Sequence, residues 1–472
     1  MSRRHRAVLA VVVATAFLTM LDNTVVTVAA PSIARDLGVG LAALEWVATG
    51  YMLPYAGLLL AGGRLTDRYG IRRVLLAGLA LFTAASLAAG LADHLAPLLV
   101  ARAAQGAGAA LLVPATLAAV AAGGERERLR GAAAWTVSGA VALAAGPVVG
   151  GVLSEHLHWS WIFLVNLPVG LAALVTVRYA VPGPGRLRTA ALGLPGVCAA
   201  TVALTAVTFT LTGGSLAALL LAAVAALVFW AVERRSRVPL LDTRLFASPT
   251  YRGGVAVQVL WGLGVNGVFF YTAVYLQDVR GFPPATAGLV FLPVAAAVAL
   301  GAPFASRYGA RRTVALGLAL VGTGIGVVAV GSAATPVLLA ALAVIGFGSA
   351  LTVPLAAVVM AAAPPGSAGV AGGLFAVARE LSGVLGIAGV GVVVATRGDL
   401  AGGYRLGLIV AAVLVWVGAL IGARTLPGPG AADASAERSD QLGPGGVQLP
   451  LPVRPRVGPV QVHVDRGGDG RR

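Results

Sequence analysis

Charged side chains inside long apolar runs are the residues of this sequence best suited to chemistry. Asp22 lies in an apolar stretch that continues to Ala30, and Arg102 lies near the start of another. A carboxylate at bilayer depth costs about 2.5–3.5 kcal/mol on insertion scales, so it should face a cavity or a partner. Because burial disfavours the charged form of a carboxyl group, Asp22 is the first candidate for a proton-coupling residue. The alternative is a carboxyl that merely accepts hydrogen bonds near a helix end.

Helix geometry allows Asp22 and Arg102 to be neighbours. With a rise of 1.5 Å per residue, Asp22 lies roughly 12 Å and Arg102 roughly 8 Å below the same membrane surface. Since the two predicted helices run in opposite directions, Arg102 is in a position to modulate the proton affinity of Asp22. The other interpretation is an arginine that extends outward to the membrane surface.

The helices that must position these residues follow from composition. Of the 472 residues, 58% are hydrophobic and 11% are charged, far from the quarter or so that is charged in an average globular protein. We therefore predict an all-α polytopic membrane protein. Windows of about 20 apolar residues give fourteen spans, near 7–30, 42–62, 73–92, 97–121, 131–153, 160–180, 189–211, 216–232, 253–276, 286–306, 313–331, 336–361, 368–396 and 405–424.

Two segments recur along the chain at almost the same offset. The loop Gly62–Arg73 returns as Gly301–Arg312, shifted by 239 residues, and Gly106–Pro114 returns as Gly346–Pro354, shifted by 240. Parallel repeats of this kind occur in secondary transporters. They predict a 6+2+6 order with two pseudo-symmetric six-helix bundles, in which the domains are a first bundle (1–182), an inserted helix pair with a linker (183–250), a second bundle (251–426) and a disordered cytoplasmic tail (427–472).

The net charge of +16 fits this topology. All basic residues are arginines, and most of them fall in loops that lie on one side of the predicted bundle. Basic loops are typically cytoplasmic, which predicts a multi-pass protein of the inner (cytoplasmic) cell membrane with both termini in the cytoplasm. Contact with anionic lipid explains the charge better than nucleic-acid binding does. The single cysteine, Cys198, excludes an intramolecular disulfide and is expected to be a small core residue.

The loop between the second and third predicted spans, GRLTDRYGIRR from Gly63, resembles the signature of the major facilitator superfamily, in particular its fourteen-helix branch of drug/proton antiporters. The resemblance implies that the loop latches the two halves together, with Asp67 as the latching acid. In the second copy Ser306 replaces this acid, so the latch is expected to be one-sided. A surface loop with one ion pair is the alternative. The implied latch residues are Gly63, Asp67, Arg68, Gly70, Arg72 and Arg73.

Three further motifs carry the same resemblance. Leu21–Ile33 resembles the first-helix signature of the branch, with Thr27 where Asn is common, and Arg102 to Ala110 resembles the fourth-helix pattern. In the fifth helix a Gly-Pro motif implies exchange of substrates in opposite directions, although small residues also suit close helix packing; Ala142 replaces one further glycine of that pattern. The motif consists of Gly146, Pro147, Gly150 and Gly151.

Two narrower matches to the branch, Trp159–Phe163 followed by Asn166, and Leu276–Pro284, are expected to serve architecture. Candidates for lining a substrate cavity are polar, aromatic or cationic residues within spans, a combination that suits flat apolar or cationic ligands. These candidates are Gln105, Gln258, Trp261, Asn266, Phe269 and Arg379. For Arg379 the alternative is a structural pair with the adjacent Glu380, shielded from lipid.

The resemblance implies proton-coupled export of small amphipathic or cationic compounds, of the multidrug efflux type, by a protein that functions as a monomer. A dedicated exporter of one self-made metabolite or antibiotic, and a membrane sensor or scaffold without transport, remain alternatives. We find no Walker A loop, no metal-ligand spacing of His and Cys, and no paired nucleophile and base. The sequence therefore predicts no cofactor, no metal and no enzymatic activity.

Overall fold

Helices make up nearly all of the chain that the structure describes. The structure is a computed structural model, and it describes residues 3–181, 194–211, 216–236, 243–305, 307–364 and 367–428. Residues up to Pro427 form one compact unit. The helices of the first half are α1 (Arg3–Leu37), α2 (Leu41–Tyr69), α3 (Ile71–Gly90), α4 (Leu95–Ala121), α5 (Glu125–His156), α6 (Trp161–Leu164) and α7 (Asn166–Ala180).

Two helices separate the halves, and the second half repeats the order of the first. The intervening pair is α8 (Leu194–Leu211) and α9 (Leu216–Arg235), followed by a 3-10 turn (Thr243–Ala247). A π-helical turn (Tyr275–Val279) extends α10, and a 3-10 turn (Ala302–Phe304) extends α12. The helices of the second half are α10 (Pro249–Val274), α11 (Pro284–Leu289), α12 (Leu292–Gly301), α13 (Ala310–Gly331), α14 (Thr335–Leu351), α15 (Pro354–Ala361), α16 (Ala368–Arg397) and α17 (Leu400–Thr425).

The internal repeat of the sequence is also a repeat of packing. α1 packs on α5 and α2 on α4, while in the second half α10 packs on α16 and α12 on α14. A Cβ atom on Gly106 would lie 2.1 Å from the carbonyl oxygen of Tyr51, and one on Gly346 would lie 2.3 Å from that of Val294. The repeated glycines therefore let equivalent helix pairs touch backbone to backbone.

This contact predicts a loss of stability when Gly106 gains a side chain. In Gly106→Ala the new methyl group overlaps the backbone of α2, so we expect destabilisation by about 1–3 kcal/mol, measured as thermal unfolding in detergent. Gly389 of α16 is a matched control, because a Cβ atom there meets nothing within 4 Å. Equal unfolding of Gly106→Ala and Gly389→Ala would contradict the prediction.

Equivalent glycines of the two recurring loops have the same backbone conformation. Gly70, between α2 and α3, has φ 85° and ψ 152°, and Gly309, before α13, has φ 73° and ψ 145°. A positive φ strains any residue with a Cβ atom, which explains the glycine in both copies. Ser306, the residue that replaces the acid of the first copy, lies outside the described residues, as do most of the linker and the tail.

Twelve helical segments of the described part are long and apolar enough to cross a membrane, which makes this a multi-pass membrane protein. α2 is long enough but less apolar, and its polar side chains, among them Glu45 and Thr49, are buried inside the protein. α8 contributes a shorter apolar helix, Pro195–Thr210. The fourteen-span 6+2+6 arrangement is therefore not confirmed and stays a prediction.

The predicted spans 286–306 and 336–361 correspond to the apolar segments Pro284–Phe304 and Thr335–Ala361. Each segment has a break in its helix, near Pro293 and before Pro354, because proline has no amide hydrogen to donate within a helix. One expectation differs from the structure. Cys198 is exposed on α8, so the expectation of a core cysteine is wrong. Positions of a membrane helix that face lipid are as apolar as positions in the core, so the sequence does not distinguish an exposed position from a buried one.

Candidate functional site

Asp22 lies at the centre of a buried polar cluster in the first half. Nη1 of Arg102 lies 2.5 Å from one oxygen of its carboxyl group. The other oxygen accepts hydrogen bonds from Nε2 of Gln105 at 2.9 Å and from Nδ2 of Asn166 at 3.0 Å. The side chains of Asp22 and Arg102 are 0% and 1% exposed. α1, α4 and α7 thus place an ion pair and two amide groups out of reach of solvent.

The structure also explains how Arg102 is held. Nε donates to the carbonyl oxygen of Val47 in α2 at 2.9 Å, and Nη1 also donates to Oε1 of Gln105 at 3.0 Å. The guanidinium lies 4.7 Å from the ring centre of Tyr51 and 5.6 Å from that of Phe163, a geometry that favours a cation. Arg102 therefore keeps several partners if Asp22 loses its charge.

Gln105, a predicted cavity residue, belongs to this cluster rather than to a cavity. It is fully buried, and its Nε2 also donates to Oγ of Ser86 in α3 at 2.8 Å. Oδ1 of Asn166 is buried without a hydrogen-bond partner among the described residues. A buried acceptor without a partner costs free energy, and a protonated Asp22 would be a donor within this cluster.

The remaining cavity candidates lie in the second half. Nε1 of Trp261 donates to Ser349 at 3.3 Å, and Nδ2 of Asn266 donates to the carbonyl oxygen of Gly262 in its own helix at 2.8 Å. Phe269 packs edge-on against Phe291 with the ring centres 5.6 Å apart. Gln258 is buried, whereas Trp261, Asn266 and Phe269 are partly exposed, as residues that contact a ligand must be.

Arg379 and Glu380 pair with each other at the seam, our name for the surface where the two halves meet. Nη2 of Arg379 lies 2.8 Å from the Glu380 carboxylate, and the side chains are 34% and 7% exposed. Tyr55 of α2 interacts electrostatically with both residues from the first half. The pair thus lies against the first half with the cation more accessible than the anion.

An apolar cavity of about 190 Å³ lies between α2, α8, α9 and α16. Leu60, Phe229 and Leu374 contribute to its walls. None of the cavity candidates from the sequence lines it. The intervening helix pair therefore covers the seam on one side with an apolar wall.

The implied latch residues lie at the basic end of the bundle, the end that carries the loops 62–73 and 307–312. Asp67 is exposed and makes no ion pair with any described residue. Arg68 lies over the ring of Tyr69, and Arg72 donates to the carbonyl oxygen of Arg178 in α7. In this conformation the acid does not connect the two halves. Gly63 and Arg73 lie in the same segment.

The Gly-Pro motif of α5 packs at the seam at the opposite end of the bundle. A Cβ atom on Gly151 would lie 2.3 Å from the carbonyl oxygen of Pro284, and one on Gly288 would lie 2.3 Å from that of Pro147. On the other face of α5, Gly146 and Gly150 pack on Thr24 and Val25 of α1, close to Asp22. α5 therefore contacts both the helix of Asp22 and the second half.

Further contacts close the halves at this opposite end. Arg35 of α1 forms an ion pair with Asp278 at 3.2 Å, and Gln277 donates to the carbonyl oxygen of Val28 at 2.8 Å. The halves are thus packed together here, while the latch acid at the basic end is free of ion pairs with described residues.

The profile of the Major Facilitator Superfamily matches residues 12–387. This chain belongs to that superfamily. Similar proteins include the cephamycin export protein of Amycolatopsis lactamdurans, 38% identical over 79% of this chain and 81% of the relative. Others are the multidrug resistance protein Stp of Mycobacterium tuberculosis, 34% identical over 80% and 74%, and the puromycin resistance protein of Streptomyces alboniger, 33% identical over 95% of both chains.

Solved structures of other transporters have a fold similar to that of this chain. The crystal structure of an auto-inhibited POT family peptide transporter matches with a TM-score of 0.67, at 17% identity, over 93% of this chain and 97% of that chain. At this identity the likeness shows the fold alone.

The superfamily motifs did not point to every buried polar group. Glu45 of α2 is 4% exposed and binds Tyr271 of the second half, yet it belongs to none of the superfamily motifs. An acid within a predicted span was the available signal, the same one that identified Asp22. The sequence predicts an architectural role for Asn166, and nothing in it indicates that the amide reaches α1.

Proposed function

We propose that the protein exports small amphipathic or cationic compounds in exchange for protons. The observation that carries the proposal is the buried cluster of Asp22, Arg102, Gln105 and Asn166. The relatives are named for export of cephamycin, for multidrug resistance and for resistance to puromycin, and these names support the substrate class.

In the proposed cycle Asp22 exchanges a proton while the two halves rock around a central cavity. A proton that arrives from outside neutralises Asp22, which weakens its ion pair with Arg102 and favours release of substrate. Arg102 then keeps the carbonyl oxygen of Val47 and the side chain of Gln105 as partners. Loss of the proton to the cytoplasm restores the ion pair and the affinity, so that substrate and proton compete for one negative region.

The helix α5 is the proposed connection between this cluster and the seam. It packs on α1 through Gly146 and Gly150, and on the second half through Gly151 and Pro147. Backbone contacts at these glycines leave no room for α1 to shift without α5. A change in the charge of Asp22 therefore biases the packing of the halves at the opposite end.

We further propose the fourteen-span 6+2+6 topology in the cell membrane, as a monomer with both termini in the cytoplasm. α2 and α8 then add two spans to the twelve apolar segments, which gives fourteen. Burial of the polar residues of α2 between neighbouring helices supports this assignment, because a span that avoids lipid needs less apolar surface. The domains are those given by the repeat (1–182, 183–250, 251–426 and 427–472).

Asp67 is proposed to latch the halves in the other conformation, in which the basic end is closed. Asp67→Asn should then reduce transport about fivefold or more, the size of a typical coupling between conformational states. Because Asp67 is exposed in the present conformation, the free energy of unfolding should change by less than about 0.5 kcal/mol. Transport assays and thermal unfolding on the same preparation check both parts, and transport at the level of the unmodified protein would remove the latch role.

Transport in inverted membrane vesicles tests the main proposal. Fluorescent cations such as ethidium should accumulate when a proton gradient is imposed and should leave when it is collapsed. Accumulation that persists without a gradient would exclude proton coupling, and no accumulation of any compound in a broad panel would favour a sensor or scaffold.

A dedicated exporter of one metabolite is the second candidate, supported by the relative named for cephamycin export. A panel that compares the susceptibility of cells with and without the gene separates the two. Protection against several unrelated amphipathic compounds supports multidrug export, whereas protection against one compound supports the dedicated exporter.

A further inference from the structure

Glu45 is a second buried acid, and it lies at the seam between the two halves. It belongs to the first turns of α2, and its carboxyl group is enclosed by α10 and α16 of the second half. The hydroxyl of Tyr271 donates to Oε1 at 2.7 Å. A Cβ atom on Gly391 would lie 2.3 Å from Oε1, so glycine at this position is what lets α16 approach the carboxyl group.

The two buried acids differ in how their charge is compensated. Both oxygens of Asp22 have partners, one of them a guanidinium. Oε2 of Glu45 is buried and has no hydrogen-bond partner among the described residues. An ionised carboxylate buried with one neutral donor is strongly unfavourable, whereas a protonated carboxyl group needs fewer partners.

No cation in the surroundings described by the structure offsets this charge. Tyr271 is the titratable group that contacts Glu45, and α8 carries no charged residue in its described range. Arg379 lies twelve residues from Gly391 along α16, about 18 Å at 1.5 Å per residue, and binds Glu380. Arg397 lies at the exposed end of α16, six residues or about 9 Å beyond Gly391. On α1, Arg35 binds Asp278 and Asp36 accepts a hydrogen bond from Trp159. Asp22 of α1 binds Arg102 of α4, and Arg72 and Arg73 of α3 lie at the basic end.

We infer that Glu45 is a second proton-binding site, which takes up a proton when the halves close at the end opposite the basic loops and releases it when they part. Parting removes Tyr271 and Gly391 and exposes the carboxyl group to water, where its charged form is solvated. The closed state therefore binds more protons than the open state. By linkage, acid favours closure and a rise in pH favours opening, with the ratio of the two states changing by up to tenfold per pH unit for one proton.

The inference extends the proposed proton coupling, but its test measures conformation and does not require transport. Spin labels on Ala42→Cys and Thr396→Cys, two exposed positions at this end in different halves, report the opening in a Cys198→Ser background. In nanodiscs we expect the short-distance population to fall as the pH is raised from 5 to 9. In Glu45→Gln, a neutral side chain of the same shape, we expect this population to stay high at pH 9, with only the smaller pH response that Asp22 contributes.

Two further variants make the outcome specific. Asp22→Asn should keep the pH response of the label distance even where coupled transport is lost, so failure of the proposed function and failure of this inference are distinguishable. Gly391→Ala is a steric control that should open this end at every pH. A pH response that survives in full in Glu45→Gln, or one that Asp22→Asn abolishes instead, would overturn the inference.

Infrared difference spectroscopy gives an independent measurement on the unlabelled protein. The closed state should show the carbonyl band of a protonated carboxyl group that is absent in Glu45→Gln. An identical band in both proteins would assign the proton to another residue and likewise refute the inference.

Discussion

Asp22→Asn is expected to abolish proton-driven accumulation of substrate in inverted vesicles, down to the level of vesicles without the protein. Asparagine keeps the size of the side chain and an acceptor for Arg102, but it cannot exchange a proton in the physiological range. The variant should therefore fold, with the lower substrate affinity that the cycle assigns to the protonated state. Uptake of a fluorescent cation after imposing a proton gradient is the measurement.

Asp93→Asn is the matched control for this experiment. The Asp93 side chain is 87% exposed and lies outside the buried cluster, so the same chemical change there should leave uptake unaltered. Undiminished proton-driven uptake in Asp22→Asn would remove Asp22 from the coupling mechanism.

Arg102→Leu is expected to have the largest effect on stability. Loss of the guanidinium leaves the buried carboxylate of Asp22 without a counter-charge. Breaking a buried ion pair by removing one partner typically costs about 3–5 kcal/mol. Thermal or denaturant unfolding in detergent should show a loss of about this size. Arg405→Leu, at an exposed position of α17, should lie within about 0.5 kcal/mol of the unmodified protein.

A double-mutant cycle with Asp22→Asn separates the ion pair from the packing of the arginine. Removal of both charges leaves no isolated ion, so the double variant should be more stable than Arg102→Leu alone. The remaining loss reports the contacts of the guanidinium with Tyr51, Phe163 and Val47. Strictly additive losses would show that Asp22 and Arg102 do not stabilise each other.

Motifs and periodicity predicted the parts of the fold that depend on residue type. The apolar runs predicted the helices, and the two repeats predicted packing that the structure shows at Gly106 and Gly346. Depth along the helices placed Asp22 and Arg102 within reach of each other, and the structure has them in contact. Prolines at 293 and 354 interrupt spans that a window average treats as continuous, because hydropathy does not register a missing amide hydrogen.

The sequence by itself determined that this chain is a bundle of membrane helices, built twice, with acids and arginines where lipid would exclude them. It could do so because hydropathy, turn glycines and the cost of buried charge are local properties. Only the tertiary structure decided which buried charge has a partner. Tyr271 reaches Glu45 across 226 residues of chain, and Asn166 reaches Asp22 across 144. A carboxyl group is compensated or not according to the atoms that folding brings within 3 Å of it, and those atoms belong to helices far apart in the chain.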